Sequence, residues 1–258
     1  MMNRICFSLI LFFLIFVQTS FSQTASEKSL SGKEFIEKTE LNLRGKNNYG
    51  IYTMVVHTPN WERSLSLEAW DDRANARSFI KITAPPKDKD TLFLRIGYNL
   101  WMFLPQLEKI IKIPPTMMLQ PWMGSDFNND DLVKESSLIE DYTHRIVGKE
   151  KMNDQETLLI ELLPKPEAPV VWGKILYWLF PEAFIPLREQ FFDEKGRLIK
   201  ELNFSEIKLA GEKRIPTLYE MTPKGKTGHY TLLMIKTIRF NQKFDESLFS
   251  MKNLRRGR

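Results

Sequence analysis

Residues 91–104 read TLFLRIGYNLWMFL, and the fold is most legible in this stretch. Two short apolar and aromatic runs flank a Gly-Tyr pair, which is typical of a β-hairpin. In the second run, Leu100 and Met102 alternate with Trp101 and Phe103, so both faces of the strand are apolar. An antiparallel strand with one solvated face would instead alternate apolar and polar residues. We therefore expect other parts of the chain to cover the second face.

Similar short segments, rich in β-branched and aromatic residues, recur between turn residues after position 49. This close spacing favours an antiparallel meander, because parallel strands would need crossover helices between them. The predicted strands are residues 51–58, 63–71, 77–83, 91–96, 99–104, 109–113, 142–151, 156–163, 171–179, 186–193, 197–209, 214–222 and 229–239. Hairpin turns are predicted at residues 97–98, 153–154, 194–196, 211–212 and 224–226.

One amphipathic helix is predicted before the strands. Ser31 and Glu34 have the spacing of a capping box, in which each side chain accepts from the other residue's backbone amide. Apolar residues follow at helical spacing, and Gly45 is a typical C-terminal breaker. The predicted helix covers residues 32–43.

Residues 113–124, IPPTMMLQPWMG, form a long apolar segment between the two groups of strands. Its three prolines exclude a regular strand or a long helix. Its methionines supply flexible surface that adapts to irregular apolar partners. Two interpretations remain open and are compatible: the segment plugs one mouth of a barrel as core, or it is a lid over a cavity for an apolar ligand.

The segment SDFNNDDL, residues 125–132, concentrates carboxylates and amides. Oxygen ligands of this kind suit hard metal cations. The same residue types also cap helices and complement the helix dipole in the first turn. We favour the capping role, for a helix at residues 130–138.

The amino terminus has the pattern of a secretory signal peptide. Arg4 precedes an uncharged run at residues 5–17, and Ser20 and Ser22 occupy the small-residue positions of a cleavage site. The run is shorter than the roughly 20 residues that span a bilayer. We expect residues 1–22 to be removed, followed by a flexible segment at residues 23–30 and a single domain at residues 31–258.

Composition argues against several classes of function. The only cysteine, Cys6, lies within the expected signal peptide, so the mature chain offers no thiol nucleophile or cysteine-based metal site. His57, His144 and His229 lie on separate predicted strands, without a catalytic spacing. We therefore expect neither an enzyme nor a bound metal or cofactor.

The charge pattern does not indicate a nucleic-acid partner. The net charge is +5 and the pI is about 9.1, but basic and acidic residues are interleaved. The exception is residues 255–258, RRGR, which we interpret as a frayed basic tail.

Residues 92–105, LFLRIGYNLWMFLP, and residues 113–132, IPPTMMLQPWMGSDFNNDDL, resemble the signature of the bacterial outer membrane lipoprotein-sorting protein family. This family is similar to the periplasmic carriers LolA and LolB, and the likeness extends from about residue 33 to the end of the chain. The resemblance implies a mainly β fold, an unclosed antiparallel β-barrel with a few helices covering its concave apolar face. It also implies a periplasmic carrier of lipid or lipoprotein acyl chains, with an inner-membrane exporter as donor and an outer-membrane acceptor.

The aromatic strands and the proline-rich segment supply the candidate lipid-contacting residues, although the sequence does not indicate which pleat face is concave. The candidates are Trp101, Phe103, Met117, Met118, Leu119, Trp122, Met123, Phe127, Trp172 and Tyr177. The alternative function is a non-carrier adaptor for a membrane exporter, which would have a solidly packed barrel.

Overall fold

One antiparallel sheet of thirteen strands dominates the computed structural model, which describes residues 29–134, 138–152 and 154–256. The expected signal peptide lies outside the described residues, as do residues 23–28 of the expected flexible segment. Two of the predicted features also fall partly outside them, namely the hairpin turn at residues 153–154 and the helix at residues 130–138.

The strands follow the predicted meander closely. In chain order they are β1 Asn47–His57, β2 Glu62–Asp72, β3 Arg77–Ala84, β4 Leu92–Ile96, β5 Asn99–Leu104, β6 Lys109–Ile113, β7 Tyr142–Met152, β8 Gln155–Pro164, β9 Lys174–Phe180, β10 Ile185–Phe192, β11 Leu198–Ala210, β12 Lys213–Pro223 and β13 Tyr230–Phe240. Their order in the sheet is β6-β5-β4-β3-β2-β1-β13-β12-β11-β10-β9-β8-β7.

The first and last strands of the chain meet in the middle of the sheet. β1 pairs with β13, with Asn48 opposite Phe240 and His57 opposite Tyr230. β6 and β7 are the edge strands, and within the described residues they do not pair with each other. The predicted fold class, a mainly β, unclosed antiparallel barrel, is therefore confirmed.

The predicted amino-terminal helix is α1, Gly32–Arg44. Its capping box is present, since the Ser31 hydroxyl accepts from the Glu34 amide and the Glu34 carboxylate accepts from the Ser31 amide at 2.7 Å. Ile36 on its buried face packs with the apolar residues of the concave face of the sheet. The helix therefore lies over the second half of the sheet, where it contacts β7, β10 and β12.

Two further helices are short: α2, Asn129–Lys134, and α3, Met251–Arg256. Single turns of 3₁₀ helix occur at Arg73–Asn75, Pro115–Met117, Trp122–Gly124 and Glu246–Phe249. Within the described part of the chain, no helix has both the length and the apolar character that a membrane span requires.

The carboxyl-terminal segment covers the convex face of β3 to β5. Phe249 and Leu254 pack there against Phe79, Leu94 and Phe103. This segment explains why the first group of strands is apolar on both faces. It also corrects the expectation of a frayed tail for residues 255–256 of the predicted 255–258, because α3 continues to residue 256 and contains the buried Leu254. Residues 257–258 lie outside the described residues.

Candidate functional site

A cavity of about 220 Å³ lies between the concave face of the sheet, α1 and the connection from β6 to β7. Strands from both halves of the sheet contribute to the cavity wall, because the sheet curves around the cavity. Apolar side chains that line it include Tyr52, Met54, Leu67, Ile80, Phe204, Met221, Leu233 and Ile235.

Strand alternation places these residues inside. On β2, Leu65, Leu67 and Ala69 share the concave face, and on β11 Leu202 and Phe204 do the same. Side chains two residues apart on a strand lie on the same face, so each strand presents a short apolar row to the cavity. The result is one apolar surface that continues across the β1–β13 seam.

The proline-rich connection closes one side of the cavity. We call residues 114–131 the lid segment. Within it, Trp122 and Phe127 line the cavity, and the Trp122 amide donates to the Phe127 carbonyl at 2.7 Å. Between them, Met123 and Gly124 have positive φ values of 51° and 71°. This left-handed pair is unfavourable for a methionine, but it turns the chain back so that both aromatic side chains face inward.

Lys200 on β11 anchors the lid segment to the sheet. Its ammonium donates to the Asp131 carboxylate at 2.6 Å and to the Asn128 side-chain oxygen at 2.7 Å. The ammonium also lies 4.9 Å from the Trp172 ring centroid and 5.1 Å from that of Phe191. Lys200 is buried, so its charge depends on these partners for the solvation that water would otherwise give.

Two other strands hold the same segment. The Thr231 hydroxyl on β13 donates to the Asp126 carboxylate at 2.7 Å and accepts from the Asp126 amide at 3.0 Å. The Arg63 guanidinium on β2 donates to the Met123 carbonyl. The lid segment is thus attached by polar contacts at its edges and by apolar contacts beneath.

A network of buried charges lines another part of the cavity. The Arg44 guanidinium at the end of α1 donates to Asp71 on β2 at 2.7 and 3.0 Å. Arg95 approaches the other oxygen of Asp71 to 3.5 Å, and Glu40 lies 4.0 Å from Arg44. The cavity wall is therefore apolar over most of its area and charged in this region.

Burial changes the titration of two tyrosines near the cavity. Desolvation raises the pKa of Tyr142, which lines the cavity, and nearby Asp130 and Asp141 raise it further. Desolvation also raises the pKa of Tyr177 well above its ordinary value, with added repulsion from Glu189 and Glu40. Both side chains are therefore neutral phenols at physiological pH.

The structure brings some of the predicted lipid-contacting residues together. Trp122, Phe127 and Trp172 line the cavity, and Met118, also in the lid segment, is buried in the same apolar cluster as Trp122. Tyr177 is fully buried in the adjoining core. Their role in lipid binding stays a prediction.

Other predicted residues lie elsewhere. Met117 and Leu119 are 43% and 52% exposed on the outer side of the lid segment, and Met123 lines a separate surface pocket. The expectation that Trp101 and Phe103 contact lipid in the cavity is corrected, because they lie on the convex face under the carboxyl-terminal segment. Their neighbours on β5, Leu100 and Met102, face the concave side instead.

The acidic run at residues 125–132, at the end of the lid segment, has the local role we favoured. The Asp131 carboxylate accepts from the Asn128 amide at 2.7 Å, which is the contact of a helix start, and Asp130 and Asp131 form the first turn of α2. In the part of the chain that the structure describes, no three His, Cys, Asp or Glu side chains converge as a metal site would require.

Sequence reasoning missed the buried charges that lie in the cavity wall and directly behind it. The sequence does indicate these buried charges, because each one interrupts a row of apolar residues on one face of a strand. Lys200 precedes Leu202 and Phe204 on one strand face, and Asp71 follows Leu67 and Ala69 on another. A charge at such a position is buried beside apolar neighbours, and it therefore needs a partner from another element.

Comparison with known proteins places this architecture in context. A family model that carries the description "Uncharacterized protein" matches residues 74–256. No curated protein sequence matches the chain.

Solved structures match over nearly the whole described chain. A DUF1329 family protein from Desulfovibrio piger has a TM-score of 0.80 and 18% identity, covering 86% of this chain and 97% of that one. A proposed outer membrane lipoprotein-sorting protein domain from Vibrio parahaemolyticus has a TM-score of 0.76 and 24% identity, covering 87% and 98%. A LolA superfamily protein from Nitrosomonas europaea has a TM-score of 0.75 and 19% identity, covering 87% and 100%. The resemblance inferred from the sequence is thus confirmed at the level of the fold.

Proposed function

The chain belongs to the family whose model matches residues 74–256 and has a LolA-like fold, and from this premise we propose that it carries lipid or lipoprotein acyl chains in its cavity towards the outer membrane. The observation that carries this proposal is the apolar cavity enclosed between the concave sheet face and the lid segment.

The energetics of acyl chains explain why such a cavity is useful. Each CH₂ group exposed to water costs about 0.8 kcal/mol, so a lipid crosses an aqueous compartment very slowly without cover. Leu67, Phe204 and Leu233 offer that cover from three strands. A carrier also has to release its cargo, and a cavity wall that is apolar but charged in places binds an acyl chain less tightly than a fully apolar one would.

The cavity volume supports a loading step that moves the lid segment. Ligand pockets usually measure about 300 to 1,000 Å³, whereas this cavity measures about 220 Å³. A diacyl lipid therefore needs more room than the present arrangement offers. The lid segment is the part that can supply it, because it is a connection outside the strand ladder whose described polar contacts with the sheet include those of Arg63, Lys200 and Thr231.

The cellular setting is part of the same proposal. We place the mature chain, beginning near Gln23, in the periplasm, with an inner-membrane exporter as donor and an outer-membrane acceptor. The signal-peptide pattern of residues 1–22 supports this location. Amino-terminal sequencing of the protein from its own cells should find Gln23 first, and an intact Met1 would contradict it. The proposal includes no enzymatic activity and no cofactor.

An adaptor that does not carry lipid is the alternative function. A solidly packed barrel would have favoured it, since such a module needs only its outer surface. The cavity beneath Trp122 and Phe127 favours the carrier instead.

Binding of a fluorescent phospholipid to the purified protein tests the proposal. We expect Leu233→Asp to weaken binding by about tenfold or more, because a carboxylate in the cavity wall has to be desolvated when an acyl chain enters. Leu209→Asp is the matched control, because Leu209 is 73% exposed on β11 and lies outside the cavity. It should bind lipid as the unmodified protein does.

Two results would overturn the carrier function. One is an unmodified protein that binds no phospholipid at any concentration below aggregation. The other is equal binding by the Leu233 and Leu209 variants, which would place the lipid on the outer surface rather than in the cavity.

A further inference from the structure

We propose that the cavity selects acyl chains whose polar end is an uncharged ester or amide carbonyl over free fatty acid anions, and that the indole N–H of Trp122 donates to this carbonyl. The inference rests on the proposed carrier function and adds a class of ligand and a residue that recognises it. It is carried by one unsatisfied donor in the cavity wall and by the balance of charge around it.

Trp122 is the donor. It lines the cavity and is only 4% exposed. Its backbone amide donates to the Phe127 carbonyl, and its ring meets Phe93 edge-on with centroids 5.4 Å apart. The indole Nε1, however, is buried without an acceptor among the described residues.

A buried indole N–H usually has a hydrogen-bond partner, because an unpaired buried donor has lost its water without gaining an acceptor. A ligand carbonyl that enters the cavity would supply the missing acceptor. The pairing is specific to an acceptor, since the indole nitrogen can only donate.

The charges around the cavity determine whether a neutral or a negatively charged acceptor binds more tightly. Five described carboxylates line it, and one guanidinium, that of Arg44, does so. Two further cations, Arg95 and Lys200, contact these carboxylates from behind. The formal balance is negative. The carboxylates are Glu40, Asp71, Asp130, Asp131 and Glu189.

This balance disfavours a ligand with its own negative charge. A fatty acid carboxylate would lose its hydration on entry and would then lie in a cavity that Asp130 and Asp131 of the lid segment line. Like charges brought together in a desolvated site repel each other strongly. The three cations lie against Asp71 and Asp131 and offset part of this cost, but they number fewer than the five carboxylates that line the cavity.

An ester or amide carbonyl meets neither penalty. It carries no net charge, and its oxygen accepts one hydrogen bond readily. Acyl chains linked to glycerol or to an amino group carry such a carbonyl at the start of the chain. The same arrangement would let the apolar chain extend between Leu67 and Phe204, away from the lid segment.

Methyl laurate and laurate test the inference, because they share one acyl chain and differ in the charge of the end group. Each ligand would displace N-phenyl-1-naphthylamine, a neutral apolar fluorophore without a carbonyl, from the purified protein at about pH 8. We expect methyl laurate to bind about tenfold or more tightly than laurate. Trp122→Phe should weaken methyl laurate binding by about five- to tenfold, the worth of one neutral hydrogen bond, while fluorophore binding changes less than about twofold.

Two further variants separate the donor from the charge. Trp178→Phe removes the same atoms from the convex side, where the Trp178 indole donates to Glu150 at 2.8 Å. It should leave the preference for the ester unchanged. Glu189→Gln removes one wall carboxylate and should strengthen laurate binding by about threefold or more with little effect on methyl laurate.

The possible failures are distinguishable. If the unmodified protein binds neither the fluorophore nor methyl laurate, the carrier function itself is overturned, and this inference with it. If the protein binds both but holds laurate as tightly as methyl laurate, or if Trp122→Phe leaves ester binding unchanged, only the selection of uncharged carbonyls is overturned. If Trp122→Phe does not fold, two other measurements decide the inference: the preference of the unmodified protein for methyl laurate over laurate, and the effect of Glu189→Gln on laurate binding.

Discussion

Lys200 shows how one side chain joins the fold to the proposed function. The ammonium lies on the concave face of β11, where its neighbours in the strand, Leu202 and Phe204, are apolar. It is tolerated there because Asp131 and Asn128 of the lid segment reach it. The interrupted alternation of this strand indicates a buried charge, but the partners lie some seventy residues away in sequence. The sequence alone could not identify them.

Substitution of Lys200 tests this account of the anchor. We expect Lys200→Met to destabilise the protein by about 3 kcal/mol in urea unfolding, because Asp131 is left partly buried without its cation. Lys200→Met combined with Asp131→Leu should lose less than the sum of the two single changes, since the pair acts as a unit.

Lys208 on the same strand provides the control. Its ammonium pairs with Glu206 at 2.6 Å, but both side chains are exposed. Lys208→Met should therefore change stability by less than about 1 kcal/mol. Equal losses from the Lys200 and Lys208 substitutions would show that the buried anchor is not held as described.

His144 makes stability depend on pH. Burial lowers the pKa of His144 below its ordinary value of 6.5, although its hydrogen bond to the Leu138 carbonyl at 2.7 Å acts in the other direction. The unfolded chain therefore binds the proton more readily than the folded one. The stability gained from keeping His144 neutral is complete when the pH is above the pKa of His144 in the unfolded chain. It is lost as the pH falls through the lower pKa of His144 in the folded chain.

We accordingly expect the unfolding free energy to fall as the pH is lowered from about 7 to about 5. His144→Gln keeps a donor for the Leu138 carbonyl but cannot take up the proton. Its urea-unfolding curves should show a shallower dependence over the same range. Identical pH dependence in the two proteins would exclude His144 as the cause.

At the level of elements, the strands were predictable and their faces were not. Turn residues such as Gly97 and Gly211 take positive φ values of 56° and 62° between apolar runs, so the strand boundaries follow from residue type. On β5, however, both faces are apolar, and the pleat pattern cannot distinguish concave from convex. The distinction depends on Phe249 and Leu254, which cover Phe103 from the far end of the chain.

The lid segment carries the main prediction at this scale. Within it, Met118 is 8% exposed and packs against the apolar residues of the concave face, whereas the adjacent Met117 is 43% exposed. We expect Met118→Lys to weaken phospholipid binding more than tenfold while lowering stability by less than about 2 kcal/mol, because the lid segment can lift and let the ammonium be solvated. Fluorescent-lipid titration and thermal melts measure the two effects.

Met117→Lys is the matched control and should change neither binding nor melting temperature appreciably. If the segment were ordinary core, Met118→Lys would instead cost several kcal/mol or prevent folding. An unfolded Met118→Lys protein would therefore contradict the lid interpretation and favour the plug that the sequence left open.

In the whole molecule, the topology places the lid segment across the open side of the barrel, between the edge strands β6 and β7. The sheet is continuous through the β1–β13 seam, so the chain leaves β6 at one edge and enters β7 at the other. The connection between these edges has to pass across the open side, and it contains the lid segment. The resemblance in residues 92–132 predicted the unclosed barrel, but the charged cavity wall arises only when α1, β2, β10 and the lid segment meet in three dimensions.

The central claim is that this molecule holds lipid in its cavity, and native mass spectrometry of the protein purified from its own cells tests it most directly. We expect a bound species whose added mass is that of one lipid or acylated molecule and which is released on unfolding. A protein that appears only at its polypeptide mass, and remains so after incubation with membranes of the same cells, would contradict the claim.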